Sequence, residues 1–263
     1  MTESLLRSDQ HIEVRAVSKW FGGVRALHNV SMSVPPGQVT CLVGDNGAGK
    51  STLVKIISGL QEPDTGEIWL GDRRLEHFTP QAARDAGIAT VHQNLQLCDN
   101  LDAVANVTLG AERVRGRGPF ALLDNARARR DAVDLLNDVG GHIRDLKAPV
   151  RSLSGGQRQA IAIARALSAA TRLIILDEPT AALGVKQTAA TLDLVRRVAD
   201  VGLPVVMISH SLDDVFAVAD RVVALRLGEI SLDTEKSRTD RSEVVSCMTG
   251  LLVGTSPETR HQP

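Results

Sequence analysis

The chain has 263 residues, and 30 basic against 31 acidic side chains leave a formal net charge of −1. That length buries a proper core and lies near the size at which one core begins to divide, so one compact unit with an appended lobe is expected. Near-neutral charge supplies no global field for nucleic acid or an anionic membrane. Cys41, Cys98 and Cys247 lack disulfide or zinc spacing and fit a reducing cytosol, and no run of about 18 apolar residues offers a membrane span.

Residues 1–10 read as a flexible N-terminus, and the polar stretch from Arg7 to His11 interrupts any apolar run of signal-peptide length. If the protein serves transport, the passage belongs to another chain. Period-2 patterning over Ile12–Val17 and Val30–Val34, where Val30, Met32 and Val34 alternate with Ser31 and Ser33, predicts strands with one wet face. Pro35, Pro36 and Gly37 turn the chain into a β-favouring run, Val39–Val43. Directly after it come Gly44, Asp45, Asn46, Gly47, Ala48, Gly49, Lys50, Ser51 and Thr52, and then Leu53–Ser58, which can continue a helix until Gly59. Three glycines between a strand and a helix start let backbone N–H groups turn towards an anion, and the helix end adds partial positive charge. This is the pattern of a phosphate-binding loop, in which Lys50 reaches the β- and γ-phosphates and the Ser51 hydroxyl ligates Mg²⁺.

Glu67–Leu70 followed by Gly71 and Asp72 predicts another strand and tight turn, so an antiparallel patch flanks the first nucleotide strand. Between about Gln96 and Pro149 the strand signal fades. Asp124–Val139 has helical spacing through Ala132, Val133, Leu136 and Val139, which marks a helical lobe. Within it Arg113, Arg115 and Arg117 interleave with Gly116, Gly118 and Pro119, and Arg127, Arg129 and Arg130 follow, as a solvated face or a partner contact. Ser154 followed three residues later by Gln157 is a capping-box pattern. Yet Gly155 and Gly156 just inside the helix cost about 1 kcal/mol each relative to alanine. The segment is therefore either a capped helix alone or a second phosphate contact made by bare N–H groups.

Leu173–Leu176 and Val205–Ile208 are continuously apolar, as expected of parallel strands covered on both faces. They argue for an open α/β sheet with its ligand at the strands' carboxyl ends, where Gly44, Asp177 and Ser209 all fall. Asp177 and Glu178 divide naturally into a carboxylate that holds Mg²⁺ and one that orients or deprotonates water. Thr234–Arg241 is polar, Glu243–Met248 suits a short helix, and the last ten or so residues read as disordered.

The order of Gly44–Ser51, Gln93, Leu153–Gln157, Asp177 with Glu178, and His210 resembles the ATP-binding subunit of ABC transporters. Phe21–Leu27, Ser154–Ala160 and Ala181–Val185 look most like the subunits of monosaccharide importers. The resemblance implies a P-loop NTPase fold with a mostly parallel core, an antiparallel patch and an inserted helical subdomain. It divides the chain into a single ATPase domain over 11–250 (core 11–95 and 155–250, helical subdomain 96–154) and a flexible tail over 251–263. It makes Phe21 the residue that stacks on adenine, with Trp20 as its rival and core filling as the plainer reading. Gln93 senses Mg²⁺ and the γ-phosphate, and His210 contacts the γ-phosphate. Leu153, Ser154, Gly155, Gly156 and Gln157 cover a nucleotide held by a second ATPase subunit. ATP and Mg²⁺ are the implied cofactors. The implied partners are transmembrane permease subunits, at the cytoplasmic face of the membrane, and through them an extracytoplasmic solute-binding protein. Gly184 departs from the aspartate usual in the family, and one ATPase domain stands where many sugar importers carry two, which calls for a homodimer or a separate partner subunit. Import of another small solute, or a soluble ATP-switched clamp in DNA repair or translation, are the alternatives; the long coiled coil, tandem domain or basic surface of such a clamp is not evident.

Overall fold

Hydrophobic alternation at the start of the chain builds an antiparallel hairpin from β1 (Ile12–Phe21) and β2 (Val24–Val34). The computed structural model describes residues 11–251 apart from 76–78, 111–113, 116–121, 141–142, 144, 170–171 and 182. Of the expected flexible ends 1–10 and 251–263, all but Leu251 lie outside the described residues, as do Arg113, Gly116, Arg117, Gly118 and Pro119. Both strands run beyond the patterned stretches, for a local reason. Ala16 takes a left-handed backbone with φ 52, its N–H donates to Ser31 Oγ at 2.8 Å, and the register shifts between Val14 and Val17. A bulge of this kind resets the inside-outside phase, so Ile12 and Val14 are buried before it and Val17 and Ser18 after it.

The chain then enters β3 (Val39–Val43), α1 (Lys50–Ile57), β4 (Thr65–Leu70) and β5 (Arg73–Arg74). β4 returns to pair antiparallel with β1, giving a sheet of order β2-β1-β4-β5. Next come α2 (Pro80–Asp85) and β6 (Ile88–Val91), then α3 (Ala103–Thr108), a two-residue ladder of β7 (Val114–Arg115) with β8 (Leu122–Leu123), and α4 (Asn125–Asp138). The remaining elements are α5 (Gly155–Ala169), β9 (Leu173–Asp177), α6 (Val185–Asp200), β10 (Val205–Ile208), α7 (Leu212–Val218), β11 (Arg221–Arg226), β12 (Glu229–Glu235) and α8 (Arg241–Thr249).

The second sheet has the order β12-β11-β3-β10-β9-β6, parallel throughout except at β12. Its strands are apolar on both faces because both faces are covered. Cys41, Ile174, Leu176, Val205 and Met207 face the helices α3 to α8. Leu42, Leu173, Ile175, Val206 and Ile208 face α1 and the antiparallel sheet. β11 and β12 carry no sequence expectation, and the polar stretch from Thr234 begins inside β12. β12 is an edge strand with no fully buried residue, and its alternation is short: Ile230 and Leu232 between Glu229, Ser231 and Asp233.

One carboxylate fixes where the strand that leads to the loop begins. Asp220 Oδ2 accepts the Val39 N–H at 2.8 Å and Arg196 Nη1 at 2.7 Å. The same guanidinium donates to the carbonyls of Val218 at 3.2 Å and Gly37 at 3.3 Å. Asp220→Ala removes the acceptor for a strand N–H and a guanidinium together, and hydrogen bonds to charged groups are worth about 1.5–3 kcal/mol. The variant should lose about 2–3 kcal/mol of folding stability in urea denaturation; a loss under about 0.5 kcal/mol, the scale of an ordinary surface change, would show that the corner is held by packing alone.

Candidate nucleotide site

β3 ends at Val43 and α1 begins at Lys50, so the glycine-rich segment is a strand-to-helix loop. Gly49 caps α1 in the left-handed region with φ 108, and Gly47 has φ 83 with open space where a Cβ would stand. Ala48 is buried, while Asp45, Asn46 and Gly47 are exposed at the rim. Lys50 Nζ spans the loop mouth, donating to the carbonyls of Gly44 at 2.5 Å and Asp45 at 3.0 Å. An ammonium has three N–H groups, so one remains for an anion. Ser51 is exposed in the first turn of α1 and Thr52 is half-buried beside it.

Two carboxylates stand at the neighbouring strand ends. Asp177 closes β9, and Glu178 follows with φ 49, its N–H donating to the Ile208 carbonyl at 3.0 Å. A non-glycine residue in that region carries strain and is a pointer to function; here it re-aims the glutamate beside β10. His210, just beyond β10, brings Nδ1 to 3.2 Å from Glu178 Oε1. Burial, then the charges of Glu178, Asp45 and Asp177, shape Lys50: burial pulls its ammonium below the ordinary lysine value and the carboxylates partly restore it. Burial and then the Glu178 charge raise the Asp177 carboxyl above the usual aspartate value, with His92 and Lys50 opposing.

The other expected residues lie further out. Gln93 is exposed, two residues past the end of β6. Phe21 stands half-exposed at the end of β1, with the Lys19 ammonium 5.9 Å from its ring centroid. Trp20, the rival, is also exposed. At the start of α5, the Ser154 N–H donates to Gln157 Oε1 at 3.0 Å and the Gln157 N–H to Ser154 Oγ at 3.3 Å, the reciprocal capping box expected. Leu153 is half-buried, and Gly155 and Gly156 sit against Leu183 and Gln187. α5 packs mainly on α3, α4, α6 and β6, so the Leu153–Gln157 segment is not part of the cradle of its own chain.

Several groups beyond those that the sequence singles out set this geometry. Thr180 Oγ1 donates to Asp214 Oδ2 at 2.6 Å, which ties the segment after Glu178 to α7. Ser211 caps α7 by accepting the Asp214 N–H at 3.3 Å; Ser211 with Asp214 three residues later was a readable cap signal. His92, whose charge acts on Asp177, had no signal of its own.

Among the described residues no group of three or more His, Cys, Asp or Glu side chains is placed to hold a metal. Ser51, Asp177 and Gln93 offer only hard oxygen donors. That set fits Mg²⁺, which binds through one or two carboxylates and completes its shell with water and substrate phosphate.

A lysine-bridged anion cradle at a helix start, with carboxylates at adjacent parallel strand ends, defines a phosphate-loop nucleotide-binding protein. The sequence profile of the family described as ABC transporter matches residues 27–181, and the chain belongs to that family. It is 39% identical to a xylose/arabinose import ATP-binding protein of Sulfolobus acidocaldarius, over 92% of this chain and 95% of that one. It is 41% identical to a fructose import ATP-binding protein of Rhizobium meliloti, over 91% and 94%. A ribose import ATP-binding protein of Chromobacterium violaceum is 40% identical over 92% of this chain but 48% of its own length, so the chain spans about half of that relative. The solved dimeric ATP-binding cassette bound to ADP and Pi superposes with a TM-score of 0.72 at 27% identity, covering 86% of this chain and 98% of that one.

The raised Asp177 carboxyl has a testable sign. It binds its proton more readily in the folded than in the unfolded chain, so ionising it costs folding free energy. That cost is absent below the ordinary aspartate value and present in full above the raised one. Asp177→Asn should therefore melt at higher temperature than wild type at neutral pH, with the gain vanishing on acidification below the aspartate range. An unchanged or lower melting temperature at neutral pH would mean that Asp177 is compensated as well in the folded chain as in water.

Proposed function

We propose that the chain is the ATP-binding and ATP-hydrolysing subunit of an ABC importer for a monosaccharide, acting at the cytoplasmic face of the membrane. The observation that carries the hydrolytic reading is the convergence of Lys50, Asp177, Glu178 and His210 on one loop mouth. The cargo class rests on kinship with import proteins for xylose, arabinose, fructose and ribose.

In this reading the loop N–H groups and Lys50 bind the phosphates, and Phe21 supports the adenine. Ser51, Asp177 and Gln93 hold Mg²⁺, which when bound offsets the charge of the β- and γ-phosphates. Glu178 orients the attacking water and takes its proton. With His210 Nδ1 standing 3.2 Å from Oε1, the second carboxylate oxygen is the one left open to accept it. Charge developing on the γ-phosphate is met by the Lys50 ammonium and by the fixed backbone dipoles of the α1 terminus. Ser154 and Gly156 of a second ATPase subunit cover the nucleotide, so binding closes a dimer and hydrolysis reopens it.

Among the described residues no helix is long and apolar enough to cross a membrane, so the passage is assigned to separate permease subunits, fed by an extracytoplasmic solute-binding protein. An open cleft of about 780 Å³ is placed to receive the permease: exposed Leu60 and Leu109 meet Arg84, His92, Gln96 and Arg165 there, directly beside the Gln93 loop. Movement of that loop is thereby available to the partner.

Two outcomes test the proposal. Glu178→Gln should keep ATP affinity within about threefold, lose about 10²–10⁴-fold in hydrolysis rate as expected for removing a general base, and accumulate as a nucleotide-bound dimer in size-exclusion chromatography. Undiminished turnover would remove Glu178 from the role. In cells, deleting the chain should abolish uptake of one radiolabelled pentose or hexose, and Lys50→Ala should fail to restore it. Normal uptake of every such sugar, with loss of an amino acid or nucleoside instead, would reassign the cargo.

A further inference from the structure

Arg165 lies ten residues into α5 past Gly155, so the helix carries it roughly 15 Å from the Leu153–Gln157 segment. Its guanidinium is half-buried, and burial lowers its pKa. No carboxylate among the described residues pairs with it. It donates instead to two successive backbone carbonyls, Leu95 through Nη2 and Gln96 through Nη1, each at 2.7 Å. Gln96 holds a left-handed backbone with φ 51, which turns the two carbonyls towards one fork. A half-buried cation satisfied only by main chain loses hydration without gaining an opposite charge, so its value lies in what the fork holds.

It holds the far end of a short span. On the near side Val91 is locked into β6, in parallel register with Leu176 of β9, whose next residue is Asp177. On the far side Leu95 is gripped by Arg165. Gln93 is the middle residue between these anchors, and its own side chain makes no hydrogen bond to the described residues. A second clamp follows: fully buried Asn106 accepts the Cys98 N–H at 2.8 Å and donates to the carbonyls of Cys98 and Asp102, each at 3.0 Å. The segment from 92 to 101 has no helix or strand of its own, and these side chains do the work that a ladder would do.

We infer that Arg165 is the positioning residue for Gln93, tying the loop that carries it to the same rigid helix that begins at the Ser154–Gln157 cap. This rests on the site reading above, in which Gln93 serves hydrolysis. The planar fork is essential, because a lysine ammonium is a point charge and cannot span two carbonyls in fixed geometry.

The test uses the full chain and two readouts. In hydrogen exchange, Arg165→Gln should speed exchange of the 92–96 amides at least tenfold while α1 is unchanged; Arg165→Lys should give a smaller increase in the same amides. In steady-state hydrolysis, Gln93→Ala and Arg165→Gln should each lower kcat, and the double variant should be no worse than the poorer single, because one acts through the other. If Arg165→Gln unfolds, Arg165→Lys carries the same cycle. Unchanged 92–96 exchange in both Arg165 variants, or kinetic losses that multiply, would overturn the inference. Undiminished hydrolysis in Gln93→Ala would also overturn it; faster 92–96 exchange in Arg165→Gln would then show that the fault lay with the role given to Gln93 and not with the tether.

Discussion

The site depends on backbone standing where side chains cannot. A Cβ on Gly44 would lie 2.3 Å from the Leu225 carbonyl oxygen, and one on Gly49 would lie 2.7 Å from Leu27 Cδ2 and 2.8 Å from the Ala26 carbonyl oxygen. The phosphate loop is thus wedged between β2 of the antiparallel sheet and the β11–β12 turn of the parallel one. Two main-chain bonds close the wedge: the Gly228 N–H donates to the Ala48 carbonyl at 3.0 Å, and the His28 N–H to the Gly228 carbonyl at 2.8 Å. The contact that shapes the anion cradle is therefore also one that locks the two sheets together. A substitution that opened the loop would loosen their union, and the small residues of the loop serve packing as much as phosphate.

The charges at the strand ends run against stability. Asp177 and Glu178 are adjacent carboxylates, half-buried, and Asp177 is pushed towards its neutral form. Glu178 holds a strained backbone, a conformation that costs about 1–3 kcal/mol where it occurs. Lys50 is half-buried and turned onto carbonyls. None of these choices improves the fold, and all of them improve a site that must accept a polyanion and a hard cation at once. Surrounding order makes them tolerable: Ile174, Ile175 and Leu176 just before the pair are fully buried in β9, and Thr180 is pinned to Asp214 just after it.

Much of this was legible because the signals are local. The phosphate loop is a strand, three glycines and a helix start in one continuous stretch, and the apolar runs at 173–176 and 205–208 announce strands buried on both faces. The Ser154–Gln157 box is likewise a four-residue pattern and has the reciprocal bonds it predicts. What sequence does not display is anything that depends on distant elements meeting. Ala16 gives no hint of the bulge that flips the phase of β1. β12 carries only the short alternation of Ile230 and Leu232 with Ser231 and Asp233, and takes its order from pairing with β11. Arg165 looks like any arginine on an amphipathic helix until the backbone of residues 95 and 96 is seen to lie under it.

The consecutive glycines at the head of α5 gain a second reason. A Cβ on Gly155 would come within 3.0 Å of Leu183 Cδ2, and one on Gly156 within 3.4 Å of Gln187 Cγ. Bare N–H groups are one consequence of glycine there, and close approach to the segment leading into α6 is another. In that segment Gly184, where the family resemblance leads one to expect aspartate, contributes no side chain. Its N–H donates to Gln187 Oε1 at 3.0 Å, and its carbonyl accepts the N–H groups of Gln187 and Thr188, each at 2.9 Å. Close approach thus joins the head of α5 to Leu183, five residues past Glu178, while the Gly184 main chain is taken up in capping α6. Packed elements of this kind shift as units and not by gradual deformation. A group seated against the head of α5 therefore has Leu183 and Gln187 as its immediate neighbours.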